Sequence, residues 1–175
     1  DMGITHVIRG ADHHSNTPFQ LALYHALDAD IPIFAHVPLI VAESGRKLSK
    51  RKDPVSIQQF EADGYLPEAM INWLARLGWS HGDQEVFSRD EIVELFDLPN
   101  VGRSGAQADP AKLEWLSQHY IKERSSEALF EAVKPFLENV TGGPVERDDR
   151  LDRTLNLLRE RSNHLVEMAE KARFV

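Results

Sequence analysis

The chain has 175 residues, 42% of them apolar, with 20 Lys and Arg against 28 Asp and Glu and a formal net charge of −8. This length and apolar content suit one large or two small domains and exclude disorder and collagen-like repeats; no apolar run approaches the roughly 20 residues of a membrane-spanning helix. The absence of Cys excludes disulfides, thiolate zinc sites and a Cys nucleophile, which leaves His, Asp, Glu, Lys and backbone amides to carry any chemistry. With no charged-then-apolar leader before a cleavage site, the expected location is cytoplasmic. The chain starts at Asp1 rather than Met and stops at Val175 just after a charged helical pattern, so a piece of a longer polypeptide is expected.

Thr5 to Arg9, β-branched in part and ended by Gly10, reads as a buried strand. In the Ser15-Asn16-Thr17-Pro18 turn, Thr17 suits a helix cap and Pro18 the first turn; Leu21, Leu23, Tyr24 and Leu27 then give an apolar face as far as about Asp28. A second apolar run, Val37-Pro38-Leu39-Ile40-Val41, follows Ile31-Pro32. Together these predict β-α-β with a crossover long enough for parallel pairing. In such sheets ligands bind beyond the carboxyl ends of the strands, where both 9–14 and 43–47 would lie.

From Ser56 the texture turns helical. Ser56-Ile57-Gln58-Gln59 and Ser88-Arg89-Asp90-Glu91 read as capping boxes, Pro67 to Leu77 as a helix closed by Gly78, and Asp109-Pro110 as the opening of a helix bearing Leu113, Trp115 and Leu116. Further helices are predicted over about 125–137 and 148–172, separated by Thr141-Gly142-Gly143-Pro144. Trp73, Trp79 and Trp115 read as core. The predicted fold class is α/β followed by all-α.

Five of the 20 basic residues sit in one stretch, Gly45-Arg46-Lys47-Leu48-Ser49-Lys50-Arg51-Lys52, of an otherwise acidic chain. A cluster of this kind can be a solvated loop or a basic address patch. Its position after a strand, at the ligand edge, favours phosphate binding instead. Lys ammonium groups act as mobile point charges on phosphate oxygens, and Gly45 allows close approach of the loop.

Lys47-Leu48-Ser49-Lys50-Arg51 resembles the KMSKS loop of class I aminoacyl-tRNA synthetases. The segments 1–10, Asp12-His13, 15–18, 64–69, Leu77-Gly78-Trp79-Ser80 and Lys112-Leu113-Glu114-Trp115-Leu116 are similar, in order, to bacterial glutamyl-tRNA synthetases, with the likeness weakest after about Glu123. The resemblance implies the C-terminal half of a Rossmann-type catalytic domain over 1–55 with its loop at 47–51, a helical stem-contact region over 56–122, and helices over 123–175 leading to an anticodon-binding domain. The HIGH motif is missing, since Ser80-His81-Gly82-Asp83 lies in the wrong context to replace it.

The resemblance further implies ATP-dependent activation of glutamate to glutamyl adenylate and transfer to the end of tRNA-Glu, with Mg²⁺ accompanying ATP, in a monomer. By similarity Arg9 would face glutamate, Asp12 and His13 would border ATP and the tRNA end, and Leu39, Ile40 and Leu48 would pack the adenine. Lys47 and Lys50 would grip the phosphates, with Ser49 and Arg51 shaping the loop. No protein metal ligand and no general base is assigned. Ala11, His14, Phe19 and Lys52-Asp53-Pro54 depart from the family pattern and bear on fine specificity.

Three other readings stay open. Asp12-His13-His14 matches the DHH triplet of metal-dependent phosphoesterases; the chain could be a helical RNA-binding module, although its net charge disfavours general nucleic-acid affinity; and it could come from a glutaminyl enzyme or one that glutamylates a modified tRNA base. His13 and His14 could merely hydrogen-bond at the helix entry, and Arg9 could pair with Asp12.

Overall fold

A computed structural model describes residues 2–42, 45–46 and 56–174. Strand β1 (His6–Gly10) pairs in parallel with β2 (Ile33–Val37), in register from His6 beside Ile33 to Gly10 beside Val37. A 3-10 segment (Ala11–Asn16) and helix α1 (Thr17–Ala26) connect them. The predicted parallel β-α-β arrangement is therefore present, but its second strand is Ile33–Val37 and not the predicted run from Val37 to Val41. Tyr24 of α1 packs edge-on against Phe34 of β2, ring centroids 6.5 Å apart.

Four local expectations change. Strand β1 is not buried: its residues alternate between exposed and half-buried, because β2 alone flanks it among the described residues. The run from Val37 to Val41 is two strands rather than one. Pro38 has no N–H to donate to a ladder, so β2 ends at Val37, and β3 (Ile40–Val41) pairs in parallel with a different partner, β4 (Ala106–Gln107). That second pairing also means that the chain after Ser56 is not helical throughout. Thr17 is not the cap of α1; it is the first helical residue, after Asn16, and its hydroxyl is engaged elsewhere.

Among the described residues seven further helices follow: α2 (Ile57–Ala62), α3 (Pro67–Arg76), α4 (Arg89–Leu95), α5 (Pro110–Glu123), α6 (Ser126–Thr141), α7 (Asp149–Leu158) and α8 (Leu165–Ala172). The box at α4 forms as expected: the Ser88 hydroxyl accepts from the Glu91 N–H at 3.1 Å, and the Glu91 carboxylate accepts from the Ser88 N–H at 2.7 Å. The one at α2 does not, because the Ser56 hydroxyl donates to Gln58 Oε1 at 2.6 Å. Asp109 caps α5 through the Ala111 N–H at 2.9 Å. The span 148–172 is two helices, since the chain turns after Leu158 and restarts where the His164 side chain accepts from the Glu167 N–H.

These helices enclose one continuous apolar core running from Leu66 to Ala172, with α3 against α5 and α6 against α8. Gly64 ties its two ends together. Its φ of +84° lies in the left-handed region, its carbonyl accepts from the Leu165 N–H at 2.9 Å, and a Cβ there would sit 2.7 Å from the Val166 nitrogen. Gly78 has a different purpose. Its φ is not positive, so it is no left-handed helix cap; a Cβ would crowd Pro38 at 3.3 Å, and the glycine lets the end of β2 approach the helical body.

Trp73 and Trp79 are core, as expected. Trp115 is not: it is 46% exposed, with the Lys112 ammonium 4.3 Å from its ring centroid and the His119 ring stacked alongside. Helix α5 buries Leu113, Leu116, Ser117 and Ile121, and position 115 lies off that stripe.

Within the body, Asn72 is fully buried and satisfied. Its amide nitrogen donates to the Glu85 carbonyl at 2.9 Å, and its Oδ1 accepts from the Phe87 N–H at 2.8 Å. The Tyr120 hydroxyl, with a single proton, lies 2.6 Å from the Phe87 carbonyl and 2.8 Å from Asn72 Oδ1. One side chain thus joins α3, the 85–87 segment and α5.

Candidate active site at the carboxyl edge of the parallel strands

Arg9 is the penultimate residue of β1, and its register partner on β2 is His36. Side chains of laterally paired residues in a parallel ladder project from the same face, and so do residues two apart on one strand, such as Phe34 and His36. Arg9 uses all of these neighbours. Its Nε donates to His36 Nε2 at 3.3 Å, its Nη2 donates to Thr17 Oγ1 at 2.9 Å, and its guanidinium carbon lies 5.1 Å from the centroid of the Phe34 ring. Thr17 Oγ1 is itself 3.3 Å from His36 Nε2. The guanidinium is therefore stacked on one face and held along its Nε–Nη2 edge. One proton of Nη2 and both of Nη1 make no hydrogen bond to the described residues.

The 3-10 segment carries the neighbouring groups past the strand end. The His14 ring meets that of His36 edge-on at 5.0 Å, and His13 Nδ1 lies 3.3 Å from the Asn16 amide. Asp12 folds back over the chain, such that a Cβ on Gly10 would come within 2.5 Å of its carboxylate. A larger residue at position 10 would therefore make the Asp12 carboxylate turn aside. The His36 pKa is lowered below its ordinary 6.5 by partial burial, then by His14, Arg9 and His13.

Of the residues predicted for the site, Arg9, Asp12 and His13 lie together at this rim. Ile40 is elsewhere: with Val37, Pro38, Leu74, Trp79 and Phe96 it lines an apolar groove of about 180 Å³ between the strands and the helical body. Leu39 contributes its carbonyl to the Ala106 N–H at 2.9 Å. Gly45, at φ +77°, donates its N–H to the Ala42 carbonyl. Lys47, Leu48, Ser49, Lys50 and Arg51 lie outside the described residues.

Sequence reasoning missed His36 and took Thr17 for a helix cap. The available signal was a lone imidazole in the apolar run Ile33-Phe34-Ala35-His36-Val37. Only the strand register made it a neighbour of Arg9. For the metal reading of Asp12-His13-His14, no group of three or more His, Asp or Glu among the described residues is placed to hold an ion. No described helix is long and apolar enough to cross a membrane.

Residues 1–115 match the family described as tRNA synthetases class I (E and Q), catalytic domain. Over 176 aligned residues the chain is 53% identical to a glutamate-tRNA ligase of Nitrosospira multiformis, covering 98% of this chain and 37% of that protein. A glutamate-tRNA ligase of Nitrosomonas europaea is 49% identical, with 99% and 37% covered. Among solved structures, a glutamate tRNA ligase from Elizabethkingia meningosepticum in complex with its amino acid superposes with a TM-score of 0.81 at 34% identity, covering 99% of this chain and 38% of that one. The glutamate-tRNA synthetase of Elizabethkingia anophelis gives a TM-score of 0.80 at 34% identity, with 95% and 37% covered. The chain thus spans about 37% of the length of the curated relatives it matches.

Proposed function

We propose a function from one premise: the chain belongs to the family of class I tRNA synthetases for glutamate and glutamine. It is part of a cytoplasmic, monomeric glutamate-tRNA ligase, which joins glutamate to ATP as glutamyl adenylate, releases pyrophosphate and passes the acyl group to the end of tRNA-Glu. The observation that carries this reading is Arg9, stacked and held at the carboxyl rim of a parallel strand pair, with its Nη1 protons and one Nη2 proton unpartnered among the described residues. A guanidinium so presented matches a carboxylate through two parallel hydrogen bonds. The helical body that follows supports the glutamate branch over the glutaminyl one, for which β-barrels are expected.

In this reading residues 1–55 form the second half of a Rossmann-type catalytic domain, 56–122 contact the tRNA stem, and 123–175 lead to an anticodon-binding domain. The rest of a full-length ligase would supply the other half of the ATP site. Arg9 binds glutamate, Asp12 and His13 border ATP and the tRNA end, and Leu39, Ile40 and Leu48 pack the adenine. The α-carboxylate of glutamate, ionised at neutral pH, attacks the α-phosphorus without a protein base, and the bond to pyrophosphate breaks. Lys47 and Lys50 neutralise the charge that grows on the departing pyrophosphate, and Ser49 and Arg51 shape their loop. Mg²⁺ travels with the nucleotide phosphates.

The test is made in two forms of the protein. The isolated 175-residue chain is expected to give no glutamate-dependent pyrophosphate exchange, because half of the ATP site lies outside it. In a full-length ligase carrying this chain, Lys50→Ala is expected to slow adenylate formation on the order of 10²–10³-fold while leaving glutamate affinity near its original value. Equal losses in both quantities would remove the transition-state role from Lys50.

A further inference from the structure

The three polar contacts around Arg9 fix the state of His36. An Arg nitrogen can only donate, so the Nε–H directed at His36 Nε2 requires a lone pair on that atom. Thr17 Oγ1 already accepts from Arg9 Nη2, and its own proton is then free to point at the same imidazole nitrogen, 3.3 Å away. Two donors converging on one lone pair account for the length of both contacts. They also leave the imidazole proton on Nδ1. Protonation at Nε2 would remove the acceptor and set an imidazolium against a guanidinium, with His14 of the 3-10 segment touching the same ring. Among the described residues the groups that bear on His36 electrostatically are His14, Arg9 and His13, none of them acidic, and like partial burial they disfavour its charged form.

This constraint decides how Arg9 can bind an anion. A guanidinium can grip a carboxylate side-on through Nε and Nη2 or end-on through Nη1 and Nη2. The side-on edge is already committed to His36 and Thr17. We propose that His36 is a positioning residue for Arg9: as a neutral imidazole it locks, with Thr17, the side-on edge of the guanidinium, so that a substrate carboxylate is taken end-on only. The inference rests on the reading of Arg9 as the group that meets glutamate. It adds a release device to that site, because acidification through the lowered pKa of His36 unlocks Arg9 while the carboxylate itself stays ionised.

The experiment has two arms. In the 175-residue chain, nitrogen-15 NMR follows the His36 ring nitrogens and the Arg9 Nε–H signal from about pH 8 to about pH 5. The expected result is an Nδ1–H tautomer, a midpoint below 6.5 and an Arg9 signal that moves with the same midpoint. In His36→Gln, whose amide oxygen can accept without titrating, the Arg9 signal is expected to keep its position and lose that transition. An Nε2–H tautomer, or an Arg9 signal indifferent to His36 titration, overturns the inference whatever the protein does with glutamate.

In a full-length ligase carrying the chain, KM for glutamate is expected to rise about tenfold in His36→Phe, the weight of roughly one charge-assisted hydrogen bond, with KM for ATP unchanged. His36→Gln is expected to restore it and to flatten its rise at low pH. A coupled NMR titration together with a glutamate KM that ignores both variants would leave the lock in place and remove Arg9 from the glutamate site.

Discussion

The strand layer and the helical body are built from similar apolar content and reach opposite states. In the body, Leu113, Leu116, Leu129, Val133 and Met168 are at most 2% exposed. In the layer, α1 has no buried residue, and Phe19, Leu23 and Leu27 stand 77%, 62% and 76% exposed at four-residue spacing. Helical period is written locally and forms either way. Burial needs a second surface of matching shape, which the body finds among its own helices and α1 does not find among the described residues.

The sharpest way to break the contrast is a pair of truncations. Leu116→Ala empties a fully buried site and is expected to cost about 2–5 kcal/mol in urea unfolding, whereas Leu23→Ala should stay within about 0.5 kcal/mol. Comparable losses would mean that α1 is packed in solution as tightly as the body. Next comes Asn72→Ala, which strips the Phe87 N–H and the Glu85 carbonyl of their partner inside the body; the expected cost is about 1–3 kcal/mol. Calorimetry of the variant at neutral pH checks it, and an unchanged Tm would mean that water replaces the amide without penalty.

The smallest effect concerns acid. Glu85 is held below its ordinary 4.5, first by its bond from Lys112 and also by Arg76, their nitrogens 2.9 and 3.1 Å from its carboxylate. A depressed carboxyl pKa stabilises the fold at pH above 4.5, and that contribution disappears as pH falls through the lower folded value. Glu85→Gln is therefore expected to lower stability slightly at neutral pH and to flatten the acid limb, leaving stability at the acid end near that of the unmutated chain. With all three side chains partly exposed, the change is small. An acid limb identical to that of the unmutated chain would assign acid sensitivity to other carboxylates.

Much of the fold was legible in the residues. The strand-helix-strand order, the box Ser88 to Glu91, the Asp109-Pro110 helix start and the break at Gly142-Gly143 are local patterns and formed as read, except that the second strand lies at 33–37 and not at 37–41. The errors fell where one group had two local uses. The Ser56 hydroxyl chose Gln58 over the backbone, the Thr17 hydroxyl chose Arg9 over a cap, and Trp115 sits one position from the stripe that α5 buries.

By itself the sequence determined the helix periods, the caps at Ser88 and Asp109, the order of strand and crossover, and Arg9 at the end of a strand, because each depends on groups a few residues apart. The tertiary structure decided that Pro38 divides an apolar run between two sheets, that Gly64 receives the start of α8, and that Arg9 meets His36. Those facts join residues from 27 to about 100 positions apart. They follow from strand register and close packing, which no local pattern encodes.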